Sequence, residues 1–237
     1  MSFFSIYQYL APAVLTPVCY WLWLARYGGR HDCALLVMSM PILFAYVIPG
    51  VGTNVLGVWE INSRLRLGKF RPHHGFVFGS ATAMLSLVCL APPPTSIGGV
   101  EIIRSGVVLG SVLGFWNWFY DIEAIKARVI VVYNRQHAER QGAEAIAYDY
   151  APYIFGGFGF CYGSAVRIVE RFIYLQRQSN LYWVLAIVCN LVVLTAPVGL
   201  FMLASYIRNG NIGFRPVKEV EPSCKVDSMN AHDQARG

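Results

Sequence analysis

The sequence predicts an all-α protein, a polytopic transmembrane helix bundle of about six spans with both termini cytoplasmic. Three observations predict it: a shortage of charge, apolar segments of bilayer length, and basic residues gathered in alternate loops. Only 14% of the 237 residues are charged and 56% are hydrophobic, against about 25% and roughly 45–50% in a soluble domain. Mean hydropathy is +0.46. The charge deficit decides the class, because a water-soluble chain of this length would lack the polar side chains to cover itself. The expected partner is therefore the lipid bilayer. A hydrocarbon core of about 30 Å takes about 20 residues per helix. Residues 1–208 then hold six spans with short loops, and residues 209–237 form a polar, disordered cytoplasmic tail with no apolar period.

The first span covers 3–24 and is expected to kink at Pro12 or Pro17, with Tyr20, Trp21 and Trp23 as an interfacial aromatic belt. Its N-terminus has no basic region before the apolar stretch, so it reads as a retained helix. The second span covers 33–60. The run Pro49-Gly50-Val51-Gly52 reads either as a break part-way or as a kinked helix near the interface, since proline lacks the N–H and glycine has the largest entropic cost. The third covers 75–91 and stops at Pro92-Pro93-Pro94. The fourth is apolar over 102–120, and the sequence DIEAIKARVIVVY is expected to continue it as an amphipathic helix. A polar loop over 134–149 leads to a fifth, glycine-rich span at 151–169, and a sixth covers 181–207.

Orientation follows from where lysine and arginine fall. Thirteen of the 19 basic residues, Arg64, Arg66, Lys69 and Arg71 among them, lie on the side that carries both termini. The net charge of +6 thus reads as topology and contact with anionic lipid, and nucleic acid is not an expected partner. The six cysteines show no C-x-x-C spacing and read as small hydrophobes.

Helices in lipid associate through close backbone approach, which small residues at i and i+4 allow. Gly106, Gly110 and Gly114 make a continuous stripe on the fourth span, and Gly75/Gly79 and Gly159/Gly163 make shorter ones. The triple stripe predicts a tightly packed face, either within one bundle or against a second copy or another membrane protein.

Ionisable residues at membrane depth cost about 2.5–3.5 kcal/mol on insertion scales and are functional candidates by default. Glu60 follows Trp59 at the end of the second span; it reads either as a carboxylate facing a cavity or as half of a helical ion pair with Arg64. Asn117 and Asp121 are four apart, so they share a helix face, either pointing into the bundle beneath Trp116, Trp118 and Tyr120 or lying at the interface. Arg167 and Glu170 read as a structural ion pair. Adjacent His73 and His74 cannot face one metal from a regular helix, and no P-loop, G-x-S-x-G or dinucleotide fingerprint occurs, so no metal or cofactor is expected.

Three function classes fit these residues. One is a small intramembrane isomerase- or cyclase-type enzyme, working on a lipophilic small molecule by acid–base chemistry through Glu60, Asp121 and Asn117. Small integral-membrane terpene cyclases are similar in size and also carry a Trp-Glu near the end of an early helix. The resemblance covers Trp59, Glu60 and the overall length, and the second, late-helix acid of that family has no counterpart in this sequence. The second class is a transporter or carrier of a small solute or ion, suggested by the Pro/Gly run in the second span and by the acids near mid-bundle. The third is a non-catalytic accessory subunit assembled through the glycine stripe.

Overall fold

Residues 3–217 are described by the computed structural model, with side chains from Ile6 onward. They are mostly helical and include two strands of three residues each. Helix α1 (Phe3–Leu10), a π turn at Ala11–Leu15 and α2 (Thr16–Arg26) form one rod, with right-handed helical backbone at both junctions. Pro12 and Pro17 each lack an N–H, and the π turn absorbs the resulting bond mismatch. Trp23 does not sit in an aromatic belt. It is fully buried and its indole N–H donates to the Ala83 carbonyl at 3.0 Å, while Trp21 is exposed.

Helix α3 (His31–Asn54) runs unbroken through Pro41 and Pro49. This excludes a break at Pro49–Gly52 and leaves the continuous-helix alternative. A helix held on several sides by packing tolerates a missing bond, and Gly52 serves close approach: a Cβ there would stand 2.8 Å from the Trp59 ring. Trp59 itself lies in β1 (Trp59–Ile61), which pairs antiparallel with β2 (Ile130–Val132), Glu60 opposite Val131. The fold is therefore not purely α-helical. The fourth span also stops earlier than expected. After α4 (His74–Cys89), α5 (Gly99–Lys126) ends at Lys126, Arg128 takes a positive φ of 56°, and the run Ile130–Val132 is strand. The β-branched Val129–Val132 run prefers a pleated, half-buried surface over a helix end. The polar loop that follows contains two short helices, α6 (Arg135–Ala138) and α7 (Ala143–Tyr148).

Helix α8 (Ala151–Val169) packs along the glycine stripe of α5 in the same chain. A Cβ at Gly159 would stand 2.4 Å from the Leu109 carbonyl oxygen, one at Gly163 2.4 Å from that of Ser105, and one at Gly106 2.8 Å from that of Phe160. Backbone lies against backbone along this whole seam, which a side chain at any of these positions would wedge open. A π turn (Glu170–Leu175) and a 3-10 turn (Ser179–Leu181) lead into α9 (Tyr182–Asn209), which stops at Gly210 in the left-handed conformation, φ 68°. Residues 210–217 then return along α9: Phe214 stacks on Phe201, and the Val217 amide donates to the Tyr133 carbonyl at 2.9 Å. The rest of the tail, 218–237, lies outside the described residues.

Polar contacts show which helix ends share a side. Gln8 accepts from Ser63 and Arg71, and Arg208 pairs with Asp149. At the opposite end Glu170 is fully buried and accepts from Arg26, Tyr27 and Arg167, while Arg167 also bonds Ser105 and Glu101. Successive long helices therefore alternate in direction. Three of them, α3, α5 and the stretch Ser179–Asn209, are long and apolar enough to cross a membrane. On α9, Trp183, Ile187, Leu191 and Leu203 are more than half exposed, an apolar surface that suits a lipid environment better than water.

Candidate functional site

The short hairpin decides where the polar groups go. Side chains alternate along a strand, so Trp59 faces inward against Gly52 and Tyr150 while Glu60 faces the other way. The indole of Trp59 and the ring of Tyr150 lie 5.8 Å apart and form one wall of a cavity of about 210 Å³. Ile48 and Val51 of α3, Val132 of β2, Ile154 of α8, Val198 and Phe201 of α9, and Phe214 of the returning segment complete an apolar lining. Tyr133, Asn134, Arg135, Asp149, Ser205 and Asn209 add polar groups to it.

Two tyrosines of this lining each donate to a carboxylate set behind it. The Tyr133 hydroxyl bonds Glu60 Oε2 at 3.0 Å, and the Tyr150 hydroxyl bonds Asp121 Oδ2 at 2.7 Å. The two couples differ in setting. Glu60 is a quarter exposed and has Arg66 Nη1 at 3.5 Å. Its ion partner is thus Arg66 across a turn, and the expected helical pair with Arg64 does not form, because Glu60 is in a strand. Asp121 is buried, and among the described residues no cation stands within ion-pairing distance of it. Burial, then the Glu60 carboxylate, push the Tyr133 phenol above its ordinary range, and burial followed by Asp121 does the same to Tyr150.

A third carboxylate, Asp149, lines the cavity directly and escaped the sequence reading. It is buried and accepts from Asn134 and Gln136, both at 3.3 Å, and from Asn209 at 3.2 Å, with Arg208 Nη1 at 3.3 Å. The Asp149 carboxyl is thereby held by four side chains, whereas that of Asp121 has a single phenol. Carboxylates in such unequal surroundings can take different protonation roles in one site. The signal for Asp149 and Tyr150 was present: both stand immediately before a helix that opens with Pro152, where acids are favoured.

Asn117 shares the buried face with Asp121, and its side chain bonds its own helix, the amide donating to the Leu113 carbonyl at 2.8 Å. None of Glu60, Asp121 and Asn117 lines the cavity itself. Glu60 and Asp121 each bond a tyrosine that does, Tyr133 and Tyr150, while Leu113, which Asn117 bonds, is not a lining residue. Trp59 forms part of the wall, while Trp116 is exposed on the outer face of α5. Comparison with family models, with curated proteins and with solved structures gives no match to this chain.

Proposed function

We propose that this chain is a six-span membrane protein that binds the end of a lipophilic molecule in the Trp59–Tyr150 cavity and transfers a proton there. The volume lies below the roughly 300–1,000 Å³ of sites that enclose a whole drug-sized ligand, so a longer lipophile places only its reactive end inside. In this reading Tyr150 passes a proton between Asp121 and the substrate, a double-bond shift or ring closure being the reaction class. Asp149 and the faces of Trp59 and Phe201 stand where a positive charge would develop and favour it. The observation that carries the reading is the pair of tyrosine–carboxylate couples on one apolar cavity.

The alternating helix directions support the six-span reading, with the start of α1 and the end of α9 toward one side. With that side cytoplasmic, Arg64, Arg66, Lys69, Arg128, Arg135 and Arg215 lie where the positive-inside tendency wants them. Arg26 and Arg167 at the other end are spent on Glu170. The unbroken α3 removes one support of the carrier reading and leaves the other, the acids near mid-bundle, while α8 covers the glycine-stripe face that an assembly role would use.

A substrate need not be known for the test. Membranes containing the protein are incubated in D₂O and their lipophilic extract is examined by mass spectrometry. Proton transfer to carbon predicts one species that gains deuterium with the wild type and not with Asp121→Asn. Absence of any protein-dependent exchange, or its persistence in Asp121→Asn, refutes the reading.

A further inference from the structure

Arg71 is 3% exposed, and no carboxylate lies within ion-pairing distance of it among the described residues. Its neighbours are neutral: Nη1 reaches Gln8 Oε1 at 3.4 Å, Nη2 reaches His74 Nδ1 at 2.7 Å, and the phenols of Tyr7 and Tyr120 lie against it. Its Nε has no hydrogen-bond partner, nor has either ring nitrogen of adjacent His73, all three atoms being buried. Buried charges are ordinarily paired. An uncompensated guanidinium with a spare N–H is half of an anion site.

A second observation says what kind of anion. Tyr7 and Tyr120 also line a groove of about 530 Å³ that runs between the first rod, α4 and α5. Beyond the tyrosines this groove is apolar, walled by Leu15, Met84, Leu85, Trp116 and Phe119. Glu123 stands at it as the one like charge for an anion and is held by Lys126 at 3.3 Å. On the loop leading to Arg71, Arg64, Arg66 and Lys69 are exposed. Arg71 does not itself line the groove; it lies against the two tyrosines that do, so that a cation backs an apolar groove, an arrangement that fits an amphiphile of opposite design.

We propose that Arg71 and the groove behind Tyr7 and Tyr120 bind an anionic phospholipid, its phosphate on the Arg71 guanidinium and one acyl chain along Met84 and Phe119. The site is separate from the Trp59–Tyr150 cavity and does not depend on its function. A charge-assisted bond from a buried guanidinium contributes about 1.5–3 kcal/mol, a factor of about ten or more in affinity.

Native mass spectrometry of the full chain in detergent, titrated with phosphatidylglycerol and with phosphatidylcholine of the same acyl chains, tests this. Wild type is expected to hold phosphatidylglycerol about tenfold more tightly. Arg71→Gln abolishes the preference, and Arg71→Lys retains part of it. Met84→Trp, which fills the groove and leaves Arg71 in place, weakens both lipids and decides the matter should Arg71→Gln fail to fold. Millimolar inorganic phosphate displaces neither lipid. Equal affinity for the two lipids, a preference that survives Arg71→Gln, lipid binding indifferent to Met84→Trp, or displacement by free phosphate each overturns the proposal.

Discussion

The Tyr150 hydroxyl donates a 2.7 Å hydrogen bond to Asp121 Oδ2 across the seam between the start of α8 and the end of α5. Tyr150 is the residue through which that buried carboxylate meets the cavity. Removing the hydroxyl with Tyr150→Phe leaves Asp121 buried without a donor and is expected to cost about 1–3 kcal/mol. Asp121→Asn keeps an acceptor for the phenol and should cost less. Denaturant or thermal unfolding of the two variants in one detergent checks the order, and an Asp121→Asn variant less stable than Tyr150→Phe contradicts it.

The glycine seam makes a sharper prediction. Gly159→Ala and Gly163→Ala each place a methyl group 2.4 Å from a carbonyl of α5, so the helices must part. Each should lose about 1–3 kcal/mol, the range of an overpacked core. Gly199→Ala on α9 meets nothing within 4 Å and should be neutral or slightly stabilising. Equal thermal midpoints for all three variants would show that α5 and α8 do not touch as described.

Glu170 compensates two arginines in a fully buried position. Glu170→Gln leaves Arg26 and Arg167 short of their counter-charge and should cost about 3–5 kcal/mol, the range for breaking a buried pair. Glu139→Gln breaks the exposed Arg135–Glu139 pair and should leave the unfolding midpoint unchanged. Urea titrations of the two variants side by side read the contrast directly.

Gly52 gives Trp59 its place. Gly52→Val sets a Cβ 2.8 Å from the indole and must push the ring toward the cavity. Its tryptophan emission should shift relative to wild type, and the shift should vanish in a Trp59→Phe background. A shift that persists there would assign the change to another tryptophan.

His73 and its neighbour His74 both contribute to the pH dependence, and the share of His73 can be isolated by substitution. Burial, then the Arg71 guanidinium, hold the His73 imidazole below the ordinary value of 6.5. The folded protein therefore favours the neutral ring, so stability is complete above pH 6.5 and falls as the pH drops below it. In lipid-free detergent the unfolding midpoint should decline between pH 7 and 5, and less steeply in His73→Gln. Parallel slopes for the two proteins would remove His73 from the account.

The helices were legible because composition and period report them. The fifth segment was placed at 151–169 and the structure begins and ends α8 at those residues. The glycine stripe was legible as a close-packed face, but stripes carry no address, and nothing along the sequence names α8 as its occupant. The hairpin was missed for a definite reason. Ile130–Val132 is too short and too apolar to show strand alternation, and its partner Trp59–Ile61 is about seventy residues away, so neither strand is stable or visible alone. Losing the hairpin meant placing Glu60 on a helix, which gave it the wrong partner. Asp121 was found because an acid beside an apolar run stands out. Asp149 was not, because in a polar loop an acid is ordinary until Asn134, Gln136, Arg208 and Asn209 close around it.

The central claim is that the Trp59–Tyr150 cavity holds the end of a lipophilic molecule. Mass spectrometry of the organic extract from purified wild type and from Val198→Trp, which fills the cavity from α9, tests it most directly. The account predicts a distinct apolar molecule carried by the wild type in near-stoichiometric amount and absent from Val198→Trp. The same extract from both proteins, with bulk phospholipid alone, would contradict it.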